Sequence, residues 1–205
     1  MMIRSNSKLK IACFGIALAL TSTLAHAAPA RFMEMGKSVS APLGHVQFCL
    51  DNSEACIGQP EQPVVVKLSE NRWQELIDLN KRVNKKIRPV TDEEQFGVLE
   101  YWGYPTNGQG DCEEYVLEKQ RELLKAGWPR SALLITVAKD MKNAGHAVLT
   151  VRTDQGDMIL DNQIEAVLPW YATPYRYIKR QSTREPAKWT GISDTRVTAV
   201  GSVGN

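Results

Sequence analysis

The chain has 205 residues with 25 Lys and Arg against 23 Asp and Glu, a length that suits one domain with its own core. A formal charge of +2 without a clustered basic face argues against a nucleic-acid footprint. Beyond residue 27 no apolar stretch is long enough to cross a bilayer as a helix.

In chain order, the first 27 residues stand apart. Arg4, Lys8 and Lys10 precede an apolar run from Ile11 to Leu20, and Ala25-His26-Ala27 follows. A basic start, a short apolar run and small residues around a cleavage point describe a secretory signal peptide. The expected domain layout is a signal over 1–27 and a single domain over 28–205. Without the signal the balance becomes 22 basic to 23 acidic residues, so the mildly basic pI belongs to the export segment.

Export bears on the cysteines. Beyond residue 27 three remain, Cys49, Cys56 and Cys112. Cys49 and Cys56 lie close in sequence across a polar loop, and an oxidising compartment pairs them as a local staple. Cys112 is left over, and an odd cysteine in an exported chain calls for a reason.

Residues 28–66 read as irregular or strand-containing, with prolines at 29, 42, 60 and 63. A helix then starts at Ser69, with Trp73, Leu76, Ile77, Asn80 and Val83 at helical spacing, and ends before Pro89. Residues 91–95 form a loop or a short helical turn. Gly and Pro crowd residues 101–110, the mark of a loop. A second helix begins directly after it, with Asp111 as N-cap and Glu114 where a capping-box partner belongs. Gly127 and Pro129 stop it. Strand-like runs at 132–138, 146–152 and 157–161 follow, joined by short polar turns, and predict an antiparallel meander behind that helix. The tail from Trp170 is rich in aromatics and ends in a loose Gly201–Gly204 stretch.

Cys112 is the first residue of the predicted helix, where free amides and the helix dipole favour a thiolate. Its own N–H there can serve a developing oxyanion. A thiolate needs a base, and only His45 and His146 remain beyond the signal. His45 has no acidic neighbour in sequence, whereas His146 opens a strand. If Arg152 pairs with Asp157 across the turn, Val148 faces Asp161, and His146 lies diagonal to Asp161 on the same face. A one-residue change in the turn would put them on opposite faces. Asp161 also suits an Asx turn with Asn162 at the strand end. The order Cys112, His146, Asp161, with the cysteine on a helix and the others on strands, follows papain-like logic.

The segments Gly110-Asp111-Cys112-Glu113-Glu114-Tyr115, Gly145-His146-Ala147-Val148-Leu149 and Leu160-Asp161-Asn162 resemble those of the bacterial transglutaminase-like cysteine proteinases. Tyr101-Trp102, Val83-Asn84 and the tail from Pro174 to Ser182 add to the resemblance, which spans about Leu68 to Trp189. It implies an α+β fold with a papain-like or transglutaminase-like core, the nucleophile-bearing helix packed on an antiparallel sheet. It also implies a Cys-His-Asp triad in a periplasmic thiol endopeptidase acting on a protein substrate, in one branch a large cell-surface adhesin. That branch depends on calcium, and Asp111 and Glu113 match its calcium-binding positions, while Glu114 replaces a usual Asp. Physically, acidic neighbours oppose the Cys112 thiolate, and a hard cation on their oxygens offsets this. Trp102 or Asn84 is expected to complete the oxyanion hole or line the cleft, with Trp102 equally suited to the core. The same triad would also serve a transamidase or deamidase acting on glutamine side chains, and the same fold a non-catalytic binding domain.

Overall fold

Ser69 opens the first long helix: its hydroxyl accepts from the Arg72 N–H, and Lys85 and Lys86 sit in the last turn, where the helix dipole favours cations. The computed structural model describes residues 30–58 and 62–196 of the chain. The expected signal segment 1–27 and the Gly201–Gly204 stretch lie outside the described residues.

The helices are α1 (Leu43–Asp51), α2 (Glu70–Lys86), α3 (Asp92–Phe96) and α4 (Cys112–Lys125). The strands are β1 (Met35–Val39), β2 (Arg88–Pro89), β3 (Gln109–Gly110), β4 (Leu133–Lys139), β5 (Gly145–Thr153), β6 (Gly156–Leu160), β7 (Leu168–Pro169), β8 (Arg176–Gln181) and β9 (Trp189–Ile192). One seven-stranded antiparallel sheet runs β1-β9-β8-β4-β5-β6-β7, and β2 and β3 form a short parallel pair. No described helix is long and apolar enough to cross a membrane.

The meander expected at residues 132–161 is the centre of this sheet. Alternation sends Ala147, Leu149 and Val151 of β5 into the main core with Val116, Leu117 and Leu123 of α4 and Leu76, Leu79 and Val83 of α2. Val148 and Ile159 point to the other face, which Met33, Trp170, Tyr175 and Tyr177 cover. The sheet is therefore buried on both sides at its middle, and α4 lies against β4 and β5.

Two regions differ from expectation. Residues 28–66, read as irregular or strand-containing, hold the strand β1 but also the helix α1, and the aromatic tail contributes β8 and β9. In β8 the period-two signal is broken, since Arg180 and Gln181 are adjacent and both buried. A register irregularity against β4 between Val137 and Ala138 leaves Ile178 unpaired and breaks the alternation further. Arg180 is tolerated inside because its Nη1 donates to Asp157 Oδ2 at 2.7 Å.

Cys49 and Cys56 form the expected disulfide, which ties α1 to the short 3-10 turn at Ser53–Cys56. On the buried face of α1 lies His45, 1 % exposed, edge-on to the rings of Trp102 and Trp189. The Trp189 Nε1–H donates to its Nδ1 at 3.3 Å. Burial lowers the His45 pKa to about 4. Because the folded pKa lies below the unfolded value near 6.5, stability is complete above that value and falls as pH drops toward 4. Roughly 3 kcal/mol is at stake. Thermal unfolding between pH 7 and 4 is expected to show this loss, and His45→Gln to flatten it; equal slopes in both proteins would contradict it.

Candidate functional site

The loop and the start of α4 are shaped around Glu114. Its Oε2 accepts from the Asp111 N–H at 3.0 Å, the reciprocal bond of a capping box, and its Oε1 accepts from the Gly103 N–H at 3.0 Å. Gly110 must be glycine here, since a Cβ would stand 2.4 Å from Glu114 Cβ. The capping residues thus lock the glycine-rich loop onto the helix and fix where Cys112 begins.

Cys112 is a free, half-buried cysteine. The backbone N–H of Ala147, the residue after His146, favours ionisation of its sulfur, so the thiol lies beside the start of β5. Its own hydrogen bond goes to Glu113 Oε2 at 2.9 Å. Burial and then the Glu113 carboxyl push the thiol well above its ordinary range, and the Ala147 N–H only partly opposes them. The lowering expected from the helix N-terminus does not prevail, because the acidic flank and desolvation outweigh it.

The β5–β6 register has Arg152 opposite Asp157 and Leu149 opposite Leu160. Continued by one step, it sets Asp161 opposite Val148, the parity that puts His146 and Asp161 on one face. His146 Nε2 lies 2.8 Å from Asp161 Oδ1, and both residues are buried. The same oxygen accepts from the Gln163 N–H at 3.0 Å, so the Asx turn and the histidine contact coexist. Asp161 Oδ2 accepts from the Tyr175 hydroxyl. Burial pushes the Asp161 carboxyl up, but the bonds from His146, Tyr175 and the Gln163 N–H more than offset it and hold the pKa below the usual carboxylate value. With Nε2–H turned to Asp161, Nδ1 is the acceptor, and Gln163 Nε2 lies 3.3 Å from it. In this structure Glu113 engages the thiol and Gln163 the basic nitrogen.

Asn84 donates from Nδ2 to the Asp161 backbone carbonyl at 2.8 Å. This bond ties Asn84 to the strand end that carries Asp161. Trp102 is 3 % exposed in the core, and its Nε1–H donates to Glu100 Oε1 at 3.1 Å. Of its two expected places, the structure selects the core.

Carboxylates gather beside the thiol. Ligand atoms of Asp111, Cys112 and Glu113 lie within 4.8 Å of one another, as do those of Asp92, Asp111 and Glu114. Asp111 Oδ1 is buried without a hydrogen-bond partner. Burial raises Glu113 well above its usual value, with Asp111 adding to it. Burial and the charge of Asp111 take Glu114 up to about 8 against its two N–H bonds. Asp92 rises to about 6, mainly by burial, although the Tyr101 N–H binds it. An orphaned oxygen among carboxylates that resist ionisation together fits a hard, oxygen-seeking divalent cation.

Sequence reasoning missed Asp92, Gln163 and Tyr175. Gln163 carried a weak signal as the Asx-turn partner two residues after Asp161. Tyr175 lay in the tail that carries the resemblance but had no signal of a role, and Asp92 carried none, since both reach the site only through the tertiary fold.

A family model described as bacterial transglutaminase-like cysteine proteinase matches residues 35–197. Among solved structures, LapG of Legionella pneumophila is 26% identical, with 62% of this chain and 72% of that chain covered and a TM-score of 0.50. An EGTA-treated form of the same protein is 26% identical, covering 61% and 74%, with a TM-score of 0.49. A calcium-bound form is 21% identical, covering 81% and 94%, with a TM-score of 0.47. Among curated protein sequences no match was found.

Proposed function

Because the chain belongs to the bacterial transglutaminase-like cysteine proteinases, we propose that it is an exported, periplasmic endopeptidase using Cys112 as nucleophile, His146 as base and Asp161 to orient the base. The observation that carries this reading is the buried His146–Asp161 pair at the strand ends, with the thiol of Cys112 beside the next residue, Ala147, whose N–H favours its ionisation.

His146 Nδ1 takes the thiol proton, and Cys112 Sγ attacks the carbonyl carbon of the scissile peptide. The oxyanion is met by the Cys112 N–H at the start of α4. As the C–N bond breaks, the imidazolium returns its proton to the leaving amine. Water then attacks the thioester with His146 again as base, releasing the acid and the thiol. Asp161 holds Nε2–H throughout and so keeps Nδ1 as the accepting nitrogen. Before this sequence starts, Glu113 has to leave the sulfur and Gln163 has to leave Nδ1.

Asp111 and Glu113 would hold calcium, with Asp92 and Glu114 close enough to join them. When bound, the ion supplies positive charge that draws the carboxylates away from the thiol and favours its ionisation. The protein substrate we assign is a large cell-surface adhesin, on the strength of the sequence resemblance, and residues 1–27 are assigned to export.

The rate of Cys112 alkylation by iodoacetamide against pH, with calcium present, tests the triad. The wild type is expected to react well below the free-thiol value of about 8.5. His146→Ala should slow the reaction at pH 6 by about 100-fold. Equal profiles in the two proteins would refute the reading.

A further inference from the structure

Past β9 the chain meets the loop between β7 and β8, residues 170–175, which delivers Tyr175 to Asp161. Arg196 binds that loop with every nitrogen of its guanidinium. Nε donates to Asp194 Oδ1 at 2.8 Å, and Nη1 to the carbonyls of Trp170 at 2.9 Å and Thr173 at 3.4 Å. Nη2 donates to the Tyr175 carbonyl at 2.6 Å and to Asp194 Oδ2 at 2.7 Å. The planar group also lies over the Trp170 and Tyr177 rings, 4.4 Å and 5.3 Å from their centroids. An ion pair between residues two apart would need Asp194 alone. Three carbonyls of one loop converging on the same rigid fork make a template for the loop, which a flexible ammonium does not copy.

The template is itself anchored. Asp194 Oδ2 accepts from the Tyr177 N–H at 3.0 Å, which fixes the partner of Arg196 to β8. Inside the loop the Thr173 hydroxyl donates to the Trp170 carbonyl at 2.8 Å, and the Tyr177 hydroxyl stands 2.9 Å from Thr173 Oγ1. At the end of the loop Tyr175 is buried, with its ring edge-on to His146 at 5.0 Å between centroids. Its backbone carbonyl is held by Arg196 and its hydroxyl donates to Asp161 Oδ2, so one residue joins the tail to the site. Both oxygens of Asp194 face the guanidinium and compensate its charge in place, which leaves geometry as its means of acting on the site.

We propose that Arg196 is a positioning residue for the proteinase reaction: its guanidinium gathers the carbonyls of residues 170–175 and so holds the Tyr175 hydroxyl on Asp161 and the Tyr175 ring against His146. This rests on the triad reading above. Arg196 touches no substrate and acts through Tyr175. With the loop fixed, Asp161 Oδ2 is occupied and Oδ1 stays turned to His146 Nε2. With the loop free, the carboxylate can rotate and the imidazole loses its fixed plane, a small displacement to which the chemical step is sensitive.

Proton NMR reads the first link without a substrate. The Tyr175 hydroxyl proton, assigned by its absence from Tyr175→Phe, should exchange with water about tenfold faster in Arg196→Met, the lower end of what one hydrogen bond to a charged group contributes. An unchanged exchange rate overturns the proposal. The second link is read on a quenched-fluorescent peptide selected from a random library by the wild type. Arg196→Met should lower kcat by about tenfold and leave KM within about twofold, because the loop sets the catalytic groups and not the substrate. In a Tyr175→Phe background the same change should lower kcat by less than about twofold, since its route is already cut. An equal loss in both backgrounds overturns the proposal, as does a loss confined to thermal stability. Arg196→Lys keeps the charge without the fork and should behave like Arg196→Met; full activity in it overturns the proposal. If Arg196→Met does not fold, Tyr175→Phe decides, because it lacks one oxygen only: unchanged kcat there overturns the proposal. A folded, active Asp161→Ala protein removes the triad reading and this one together. An inactive Asp161→Ala beside an unimpaired Arg196→Met removes this one alone.

Discussion

Asp161→Ala should lower kcat/KM on a peptide that the wild type cleaves by on the order of 10⁴-fold, the scale set by removing the orienting carboxylate from catalytic triads. The carboxylate receives three donors, from His146, Gln163 and Tyr175. Its loss frees the imidazole to turn and to exchange tautomers, so Nδ1 is no longer fixed as the acceptor. Asp161→Asn should be far milder, about 10²-fold, because its amide oxygen can still accept from Nε2–H while the Tyr175 hydroxyl rotates to accept from its NH₂. Equal losses in the two variants would show that charge, not orientation, is the main contribution of this residue. Activity within tenfold of wild type in a folded Asp161→Ala protein would remove it from the triad.

Chelation is the second large effect. Adding EGTA should lower turnover on the order of 10²-fold, and Asp111→Ala should do the same with calcium present. The reason is the 2.9 Å contact between Glu113 Oε2 and the thiol. A carboxyl left in that position holds the proton on sulfur, and a like charge so close costs about two pK units or more. Glu113→Gln separates the parts of the effect: it removes the negative charge beside the sulfur, so alkylation of Cys112 in EGTA should be faster than in the wild type. Turnover indifferent to EGTA and to Asp111→Ala would rule out the cation's role. Slow alkylation of Glu113→Gln in EGTA would show that Glu113 is not what restrains the thiol.

Much of this site can be read in the chain because its parts are local. The capping residues Asp111 and Glu114 bracket Cys112 in sequence, and a turn of known length sets the parity of His146 and Asp161. The disulfide was legible for the same reason, its two cysteines lying seven residues apart. What local patterns could not carry are the contacts made by distant segments. Tyr175 arrives from the aromatic tail, and Asp92 from a short helix whose acidic run looks like any solvated turn. β8 hid because Arg180 is buried by an ion pair with Asp157 rather than by apolar character. For Asn84 and Trp102, sequence proximity does not reveal where a donor points. Their hydrogen bonds to the Asp161 carbonyl and to Glu100 do.

The hold of Glu113 on the Cys112 thiol also bears on the chemical durability of the enzyme. Oxidation of cysteine to sulfenic acid follows thiolate character and accessibility. A sulfur kept protonated by burial and a neighbouring carboxyl reacts slowly with peroxide and with foreign disulfides. The free cysteine seen among the described residues is therefore expected to resist oxidation while Glu113 holds its proton, and to lose that protection when the carboxyl leaves it.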